Sequence, residues 1–305
     1  MTPASPATTH WSGTANAARA RATPRSIRRR RVVGGAFMAV VVAATAFAVS
    51  PLAALGGHLV REGGAALHWS FFTALPAPVG EPGGGMANAV VGTLLLVSIA
   101  SLMAIPVGVG AGLYAAEHRG RPLALAVRFV SEVLSGVPSI VIGILSWEFV
   151  VRPMGHFSAL AGAVALAIIM LPLVARATEE MVLLVPSALF ETALALGYGH
   201  ARAVVRVVLR TALPGILTAL LVAVARVAGE TAPLLFTAFG NHFWSVSLRE
   251  PVSALPLQIF TYAISPYDDW RALAWAGALV LVGLAVILGI AARVTMRHRH
   301  GRRVR

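Results

Sequence analysis

The stretch "SALFETALALGYGHARAVVRVVLRTALPGI", from Ser187 to Ile216, predicts two helices joined by a tight turn. Its serine can cap the first helix, and Gly197 lies where a glycine commonly ends one. The second helix begins near His200 and carries an arginine at every fourth position, at Arg202, Arg206 and Arg210. Such a helix pair either projects to meet a partner protein or lies at a membrane interface. An apolar run follows at Leu213, so the stretch leads directly into a candidate membrane span.

The composition of the chain indicates a membrane protein. Of its 305 residues, 57% are hydrophobic and 12% are charged, and the mean hydropathy is +0.78. A soluble domain carries about 25% charged residues. The sequence contains no cysteine and no lysine, since all 25 residues counted as lysine or arginine are arginine. These absences exclude disulfides, thiolate metal sites, an ordinary P-loop and Schiff-base chemistry.

Six apolar runs are long enough to cross a bilayer, which takes about 20 residues of helix. We predict spans at Val32–Leu55, Met86–Ala116, Leu123–Val151, Ser158–Ala177, Leu213–Phe239 and Ala272–Val294. The predicted fold is therefore an all-α integral membrane protein with six transmembrane helices. The first run also resembles a signal peptide, but the five spans that follow favour an uncleaved helix. A further apolar segment, Pro251–Ile264, is too short to span and is either re-entrant, interfacial or a packed loop.

The arginines are distributed unevenly along the chain. Seven lie between Arg19 and Arg31, and six lie between Arg293 and Arg305, so both terminal tails are basic. Basic tails beside apolar spans indicate the cytoplasmic side of a plasma (inner) membrane. The net charge of +13 therefore does not predict a nucleic-acid partner, since no basic globular face remains between the tails.

The spans divide the chain into segments on the two sides of the predicted membrane. We predict a basic cytoplasmic tail (1–31), a first span (32–55), an extracytoplasmic loop (56–85), a five-span core (86–294) with a cytoplasmic loop at about 179–212, and a second basic cytoplasmic tail (295–305).

The fifth predicted span carries two charges within "VARVAGETAPLLFTAFG", Val224–Gly240. Arg226 and Glu230 lie four residues apart and therefore on one helical face. Arg226 lies about 13 residues, or roughly 20 Å, into the span, where a charge costs about 2.5–3.5 kcal/mol and rarely faces lipid. The two side chains either pair and pin the helix bundle, or line a pathway in which the guanidinium attracts an anion. In the second case Glu230 holds Arg226 between passages and weakens the attraction, so that the anion is released.

Two further patterns in the spans concern proline and a second charge pair. Pro233 cannot donate to the carbonyl of Gly229, so a kink is predicted between these residues, either as a hinge or as a static bend. In the third span, Arg128 and Glu132 are also four residues apart, and we expect them to form an interfacial pair near the membrane surface.

The cytoplasmic loop resembles the EAA loop of ABC-importer permeases, the segment whose coupling helix docks on the ATPase subunit. "ETALALG" followed by "VVLRTALPGI" places Glu191, Ala193 and Gly197 at the glutamate, second alanine and glycine of that pattern. Thr192 replaces the first alanine, and Arg210 stands where a proline is expected. Three further segments, "EVLSGVPSIVIGI", "GETAPLLFTA" and "SALPLQIF", are similar to phosphate-importer permeases of the PstA type. The resemblance extends over about 86–292.

The resemblance implies a type I ABC-importer permease fold with a cytoplasmic coupling helix. It implies a PstC-type permease that forms a heterodimer with this chain, a PstB-type ATPase dimer, and a PstS-type binding protein that delivers phosphate. No metal cluster or nucleophile–base pair stands out in the spans, so neither a cofactor nor a catalytic site is predicted. One alternative is a permease for another oxyanion, molybdate or sulfate. A second is a transporter or channel that acts without an ATPase, which has no need of an EAA-like loop.

Overall fold

The computed structural model describes residues 24–79, 81 and 83–300. The described residues divide into two compact units between Gly57 and His58. Nearly all regular structure in the described residues is helical, as the six predicted spans imply, and Phe239 and Val252 form an isolated parallel bridge. Of the two predicted basic tails, residues 1–23 and 301–305 lie outside the described residues.

The helices follow one another with short connections. In chain order they are α1 (Pro24–Ala66), α2 (Trp69–Thr73), α3 (Ala87–Glu117), α4 (Pro122–Gly136), α5 (Ser139–Ser146), α6 (Arg152–Met154), α7 (Ala159–Leu183), α8 (Ser187–Ala195), α9 (His200–Ala203), α10 (Arg210–Ala228), α11 (Ala232–Leu235), α12 (Leu255–Ala263) and α13 (Asp268–His300). Two π-helical segments, Trp147–Val151 and Val204–Leu209, join α5 to α6 and α9 to α10.

Six candidate membrane spans are present among the described residues when one bent helix pair counts as a single span. Five are long apolar helices: Val32–Ala66, Ala87–Glu117, Ala159–Leu183, His200–Ala228 and Asp268–Val294. The sixth consists of Pro122–Gly136 and Ser139–Met154, which are bent by 104° at the break between them. The second and fourth spans begin within one residue of the predicted positions. Ser158 sets the start of the fourth, because its hydroxyl accepts a hydrogen bond from the N–H of Ala161 at 3.1 Å and caps α7.

The prediction of one continuous helix at Leu123–Val151 is wrong. Helix α4 ends at Gly136, Val137 is extended (φ −73°, ψ 129°), and α5 begins after Pro138. The residue before a proline is pushed out of the α region by the pyrrolidine ring. The third span therefore contains a sharp corner at its Gly-Val-Pro sequence.

Helix α1 is longer than the predicted span of residues 32–55, since it begins at Pro24 and ends at Ala66. Residues 56–66, which the sequence assigns to an extracytoplasmic loop, are therefore helical. Glycine lowers helix stability by about 1 kcal/mol relative to alanine, but tertiary packing outweighs this cost at Gly63. A Cβ added at Gly63 would lie 2.6 Å from the carbonyl oxygen of Trp275 in α13, so only glycine permits this close approach.

The main core lies between α3 and α7. Its buried side chains include Leu96, Ala100, Ala104, Leu166, Met170 and Val174. Two glycines of α3 bring the helices close together: an added Cβ at Gly108 would lie 2.7 Å from Val174 Cγ1, and one at Gly112 would overlap the carbonyl oxygen of Ala175. Small residues of this kind allow tight van der Waals packing between membrane helices, where lipid removes most of the hydrophobic driving force.

We expect Gly112→Val to destabilise the α3–α7 pair, because the added side chain overlaps backbone atoms that cannot move aside. Overpacking of this kind costs about 1–3 kcal/mol. The midpoint of thermal unfolding of the purified protein should fall. Gly110→Val is the matched control, since a Cβ at Gly110 meets no atom within 4 Å. Equal midpoints for the two variants would contradict the close contact.

The short apolar segment Pro251–Ile264 packs against α3 and α13 and contains α12. Leu255 and Tyr262 are buried, and the N–H of Leu255 donates to Oγ1 of Thr93 at 2.7 Å. A helix of nine residues cannot span a bilayer. Of the alternatives raised by the sequence, this packing favours the packed loop.

Candidate functional site

The fifth span ends earlier than predicted. Helix α10 ends at Ala228, and Gly229 caps it. The N–H groups of Gly229 and Glu230 donate to the carbonyls three residues before them, at 3.2 and 3.1 Å. The prediction of one helix over Leu213–Phe239 is therefore wrong: Arg226 lies in the last turn of α10, and Glu230 follows the helix.

Gly229 and Pro233, which were predicted to bound a kink, lie on either side of a complete break in the helix. Pro233 is in the first turn of α11, where its missing N–H removes no helical hydrogen bond. It is also buried, and its Cα would lie 2.7 Å from a Cβ added at Gly143 in α5. Packing of α11 on α5 thus holds the break, while the hinge role of the two residues stays a prediction.

A cavity of about 280 Å³ lies beside this break. Its wall comes from the end of α4, the corner after it, the first half of α5, the middle of α7, and the end of α10 with Glu230 just beyond it. Arg226, Glu230, Ser135 and Ser139 are its charged and hydroxyl residues, and the other lining residues are apolar. Both helix breaks therefore border one space. Non-helical backbone at membrane depth is tolerated where it is buried in protein or lines a water-filled cavity, which agrees with this arrangement.

Arg226 and Glu230 line the same cavity without forming the predicted pair. Their side chains make no ion pair or hydrogen bond with any residue that the structure describes. Arg226 is exposed and Glu230 is half-buried. Pairing at a spacing of four residues requires an intact helical turn, and the end of α10 removes that turn.

The cavity wall carries one cationic and one anionic side chain, Arg226 and Glu230. The carbonyl end of α10 stabilises a cation in its last turn by about 0.3–1 kcal/mol, which offsets part of the cost of placing Arg226 there. A guanidinium without a protein partner among the described residues has its planar fork of donors available for the oxygens of an anion. Glu230 adds a negative charge to the same wall.

The predicted coupling segment folds as the sequence indicates. Helix α8 is followed by Gly197, which has a φ of +84° and lies in the left-handed region that favours glycine. The N–H of Gly197 donates to Leu194 at 2.9 Å, and the N–H of Tyr198 donates to Ala193 at 3.1 Å. These bonds close the helix end and turn the chain towards α9.

The four predicted coupling residues have different surroundings. Ala193 is buried, whereas Glu191, Thr192 and Gly197 are exposed. The hydroxyl of Thr192 donates to the carbonyl of Ala188 at 2.6 Å, so it is satisfied within α8. Glu191 makes no ion pair with a described residue and remains available to a partner.

Phe190 attaches helix α8 to the spans. Phe190 packs against a buried cluster, which we name the loop cluster, that joins α3, α7 and the helix of α9 and α10; its members are Ala116, Val182, Val208, Ala212 and Ile216. The ring of Phe190 also meets the ring of His200 edge to face, with centroids 5.3 Å apart. His200 Nε2 in turn lies 3.8 Å from Oε2 of Glu117 at the end of α3.

The predicted pair of Arg128 and Glu132 does not form. The Nε of Arg128 donates to Oε1 of Glu179 in α7 at 2.6 Å, and one terminal nitrogen donates to the carbonyl of Ala115 in α3 at 2.8 Å. Arg128 therefore ties three helices together. The spacing of residues along one helix could not reveal Glu179, since that partner is brought close only by tertiary packing.

Comparisons with known proteins agree with this architecture. Residues 108–304 match the family described as the binding-protein-dependent transport system inner membrane component. The phosphate transport system permease protein PstA of Yersinia pestis is 44% identical over 236 residues, which cover 77% of this chain and 80% of the relative. PstA of Xylella fastidiosa is 39% identical over 271 residues, which cover 88% of this chain and 94% of the relative.

A solved structure extends the agreement to the fold. A chain in the crystal structure of a bacterial alginate ABC transporter, in complex with an alginate pentasaccharide-bound periplasmic protein, superposes with a TM-score of 0.61. The identity is 13%, and the match covers 91% of this chain and 98% of the other. This likeness shows the permease fold of ABC importers.

The fold and the family match define a class, the inner-membrane components of binding-protein-dependent transport systems, and the chain is a multi-pass membrane protein of that class. Within it, the chain belongs to the PstA family of phosphate transport system permeases. The resemblance carried by the EAA-like loop and by "GETAPLLFTA" is confirmed, and so is the all-α ABC-importer permease fold.

Proposed function

We propose that this chain is the permease subunit of an ATP-driven importer of inorganic phosphate. The proposal rests chiefly on Arg226, a cation that has no described side-chain partner and lines a cavity bordered by two helix breaks. The names of the PstA relatives support phosphate as the substrate. The chain supplies a pathway and no catalytic site, while ATP hydrolysis takes place on separate subunits.

The importer contains three further kinds of subunit. A PstC-type permease forms a heterodimer with this chain and encloses the pathway from the other side. A PstB-type ATPase dimer docks on α8, and a PstS-type binding protein delivers phosphate. The basic tails at both ends of the chain support a topology in the plasma (inner) membrane with both termini in the cytoplasm.

Coupling between the ATPase and the pathway passes through the attachment of α8. ATP binding moves the docked α8, and Phe190 transmits the displacement to the loop cluster. That cluster includes Val182 of α7, a helix whose middle lines the cavity. Gly229 and Pro233 absorb the resulting change of direction between α10 and α11, and Arg226 attracts phosphate into the cavity.

Competition between oxyanions tests the substrate. Vesicles that carry all four components and ATP are expected to take up labelled phosphate, and excess unlabelled phosphate should block that uptake. Equal concentrations of sulfate or molybdate should leave it unchanged. Inhibition by sulfate or molybdate that equals the inhibition by phosphate would instead assign the chain to another oxyanion.

A further inference from the structure

Glu230 is an acid in the wall of a cavity that we propose to carry an anion, and its position requires a physical reason. The sequence suggested pairing with Arg226, but the break after Ala228 prevents it, and the Glu230 carboxylate has no described partner. Its backbone N–H donates to Val227 at 3.1 Å, so the turn holds the residue in place. An ionised carboxylate has acceptors only, and it repels an anion that also has acceptors only.

The other charged and hydroxyl groups of the cavity do not resolve this conflict. Arg226 is purely a donor. The hydroxyl of Ser135 already donates its proton to the carbonyl of Ser131 at 2.7 Å, so that proton is not available to Glu230. Ser139 is the first residue of α5. An anion held by Arg226 therefore shares a space of about 280 Å³ with the carboxylate of Glu230.

Protonation distinguishes phosphate from the competing oxyanions near neutral pH. Phosphate keeps acidic hydrogen under these conditions, so it presents acceptor oxygens together with an O–H donor. Sulfate and molybdate present acceptor oxygens alone. A wall that contains a guanidinium and a carboxylate complements the first pattern and opposes the second, and hydrogen bonds to charged groups are about twice as strong as neutral ones.

We propose that Glu230 is a specificity-determining residue that accepts a hydrogen bond from the protonated oxygen of phosphate, while Arg226 binds the deprotonated oxygens. The Glu230 carboxylate repels oxyanions that carry no proton, because they cannot donate a hydrogen bond that would offset the repulsion. This inference rests on the proposed function, because it places the anion path in this cavity.

Thiol labelling provides a direct measurement of occupancy, since the chain has no cysteine. Ser135→Cys places a thiol in the cavity wall, and Ser98→Cys places a reference thiol in a separate apolar cavity. The chain is assembled with its permease and ATPase partners but without the binding protein, so selective delivery plays no part. The rate of labelling of this chain by N-ethylmaleimide is followed by mass at constant ionic strength.

Arsenate and sulfate form the matched pair of test anions, because both are tetrahedral and only arsenate is protonated as phosphate is. With Glu230 present, phosphate and arsenate should slow labelling at Ser135→Cys, and half-protection by sulfate should require about tenfold more anion. With Glu230→Gln, the concentrations of sulfate and phosphate that give half-protection should become similar. With Glu230→Asp, which keeps the carboxylate, the preference should remain. Labelling at Ser98→Cys should not respond to any of the anions.

Several results would overturn the inference. They are equal protection by sulfate and phosphate with Glu230 present, an unchanged preference in Glu230→Gln, and a loss of all protection in that variant although Arg226 remains. Failure of the proposed function is recognised separately. If the labelling preference is as expected but the four-component assembly imports no phosphate, the transport proposal fails; if import depends on ATP but the preference ignores Glu230, only the inference fails.

Discussion

Arg226→Ala is expected to lower phosphate uptake by the four-component assembly at least about 100-fold, because two hydrogen bonds from a charged donor contribute about 1.5–3 kcal/mol each. The assembly should still form and hydrolyse ATP. The side chain of Arg226 has no described ion pair or hydrogen bond, so its removal leaves the fold intact. What changes is the cavity, whose remaining charged lining residue is Glu230. Initial rates of labelled-phosphate uptake and of ATP hydrolysis, measured on the same preparation, check this expectation.

Two further variants separate charge from geometry. Arg226→Lys keeps the positive charge but loses the planar fork of donors, so intermediate uptake is expected. Arg121→Ala removes an exposed arginine that does not line the cavity, and it should transport normally. Normal uptake by Arg226→Ala would contradict the anion path and would leave Arg226 with a structural role at the end of α10.

Leu196→Arg is expected to weaken binding of the ATPase to this chain and thereby to lower phosphate uptake. The side chain of Leu196 is 74% exposed just after α8, and Leu189 and Leu194 are also exposed nearby. Exposed apolar side chains grouped on a short helix mark a protein-binding surface. An arginine buried there without a partner weakens docking by about 2–5 kcal/mol, or more than tenfold. Co-purification of the ATPase and the rate of phosphate uptake should both fall.

The matched control for this variant is Leu184→Arg. Leu184 is also 74% exposed, but it lies at the end of α7 before the coupling helix. It should retain both ATPase binding and uptake. Equal losses in the two variants would show that an added charge anywhere near this end of the molecule is harmful, and the docking role of α8 would then be contradicted.

Helix ends were predictable where a local signal sets them. Ser158 caps α7 because its hydroxyl satisfies a backbone N–H, and Gly197 ends the α8 segment because it adopts a positive φ. Both are properties of the residue itself and of its immediate neighbours. The number of candidate spans among the described residues was also predictable, since length and hydropathy are the properties that define them.

The breaks inside spans were harder to predict because apolar residues continue on both sides of them. A hydropathy window joins α4 to α5 and α10 to α11, although Pro138 and Pro233 mark the interruptions. At Pro233 the sequence predicts a kink, whereas the structure has a complete break. The π-helical segment at Val204–Leu209 has no comparable marker, because the same residues also suit an α-helix.

The cavity required the tertiary structure. Arg226 and Glu230 were identified from their cost in an apolar run, but their predicted pairing assumed a helix that ends between them. Ser135 and Ser139 had no sequence signal of their own, because two serines near a Gly-Val-Pro corner are ordinary polar residues. They join the site only because the corner of the third span faces the end of α10.

The central claim is that this chain provides a phosphate path driven by ATP on other subunits, and accumulation of phosphate against its gradient tests it most directly. Proteoliposomes with all four components should concentrate labelled phosphate when ATP reaches the ATPase. They should not do so without ATP or with this chain omitted. Accumulation by this chain alone, driven by an ion gradient, or full accumulation in its absence, would contradict the account.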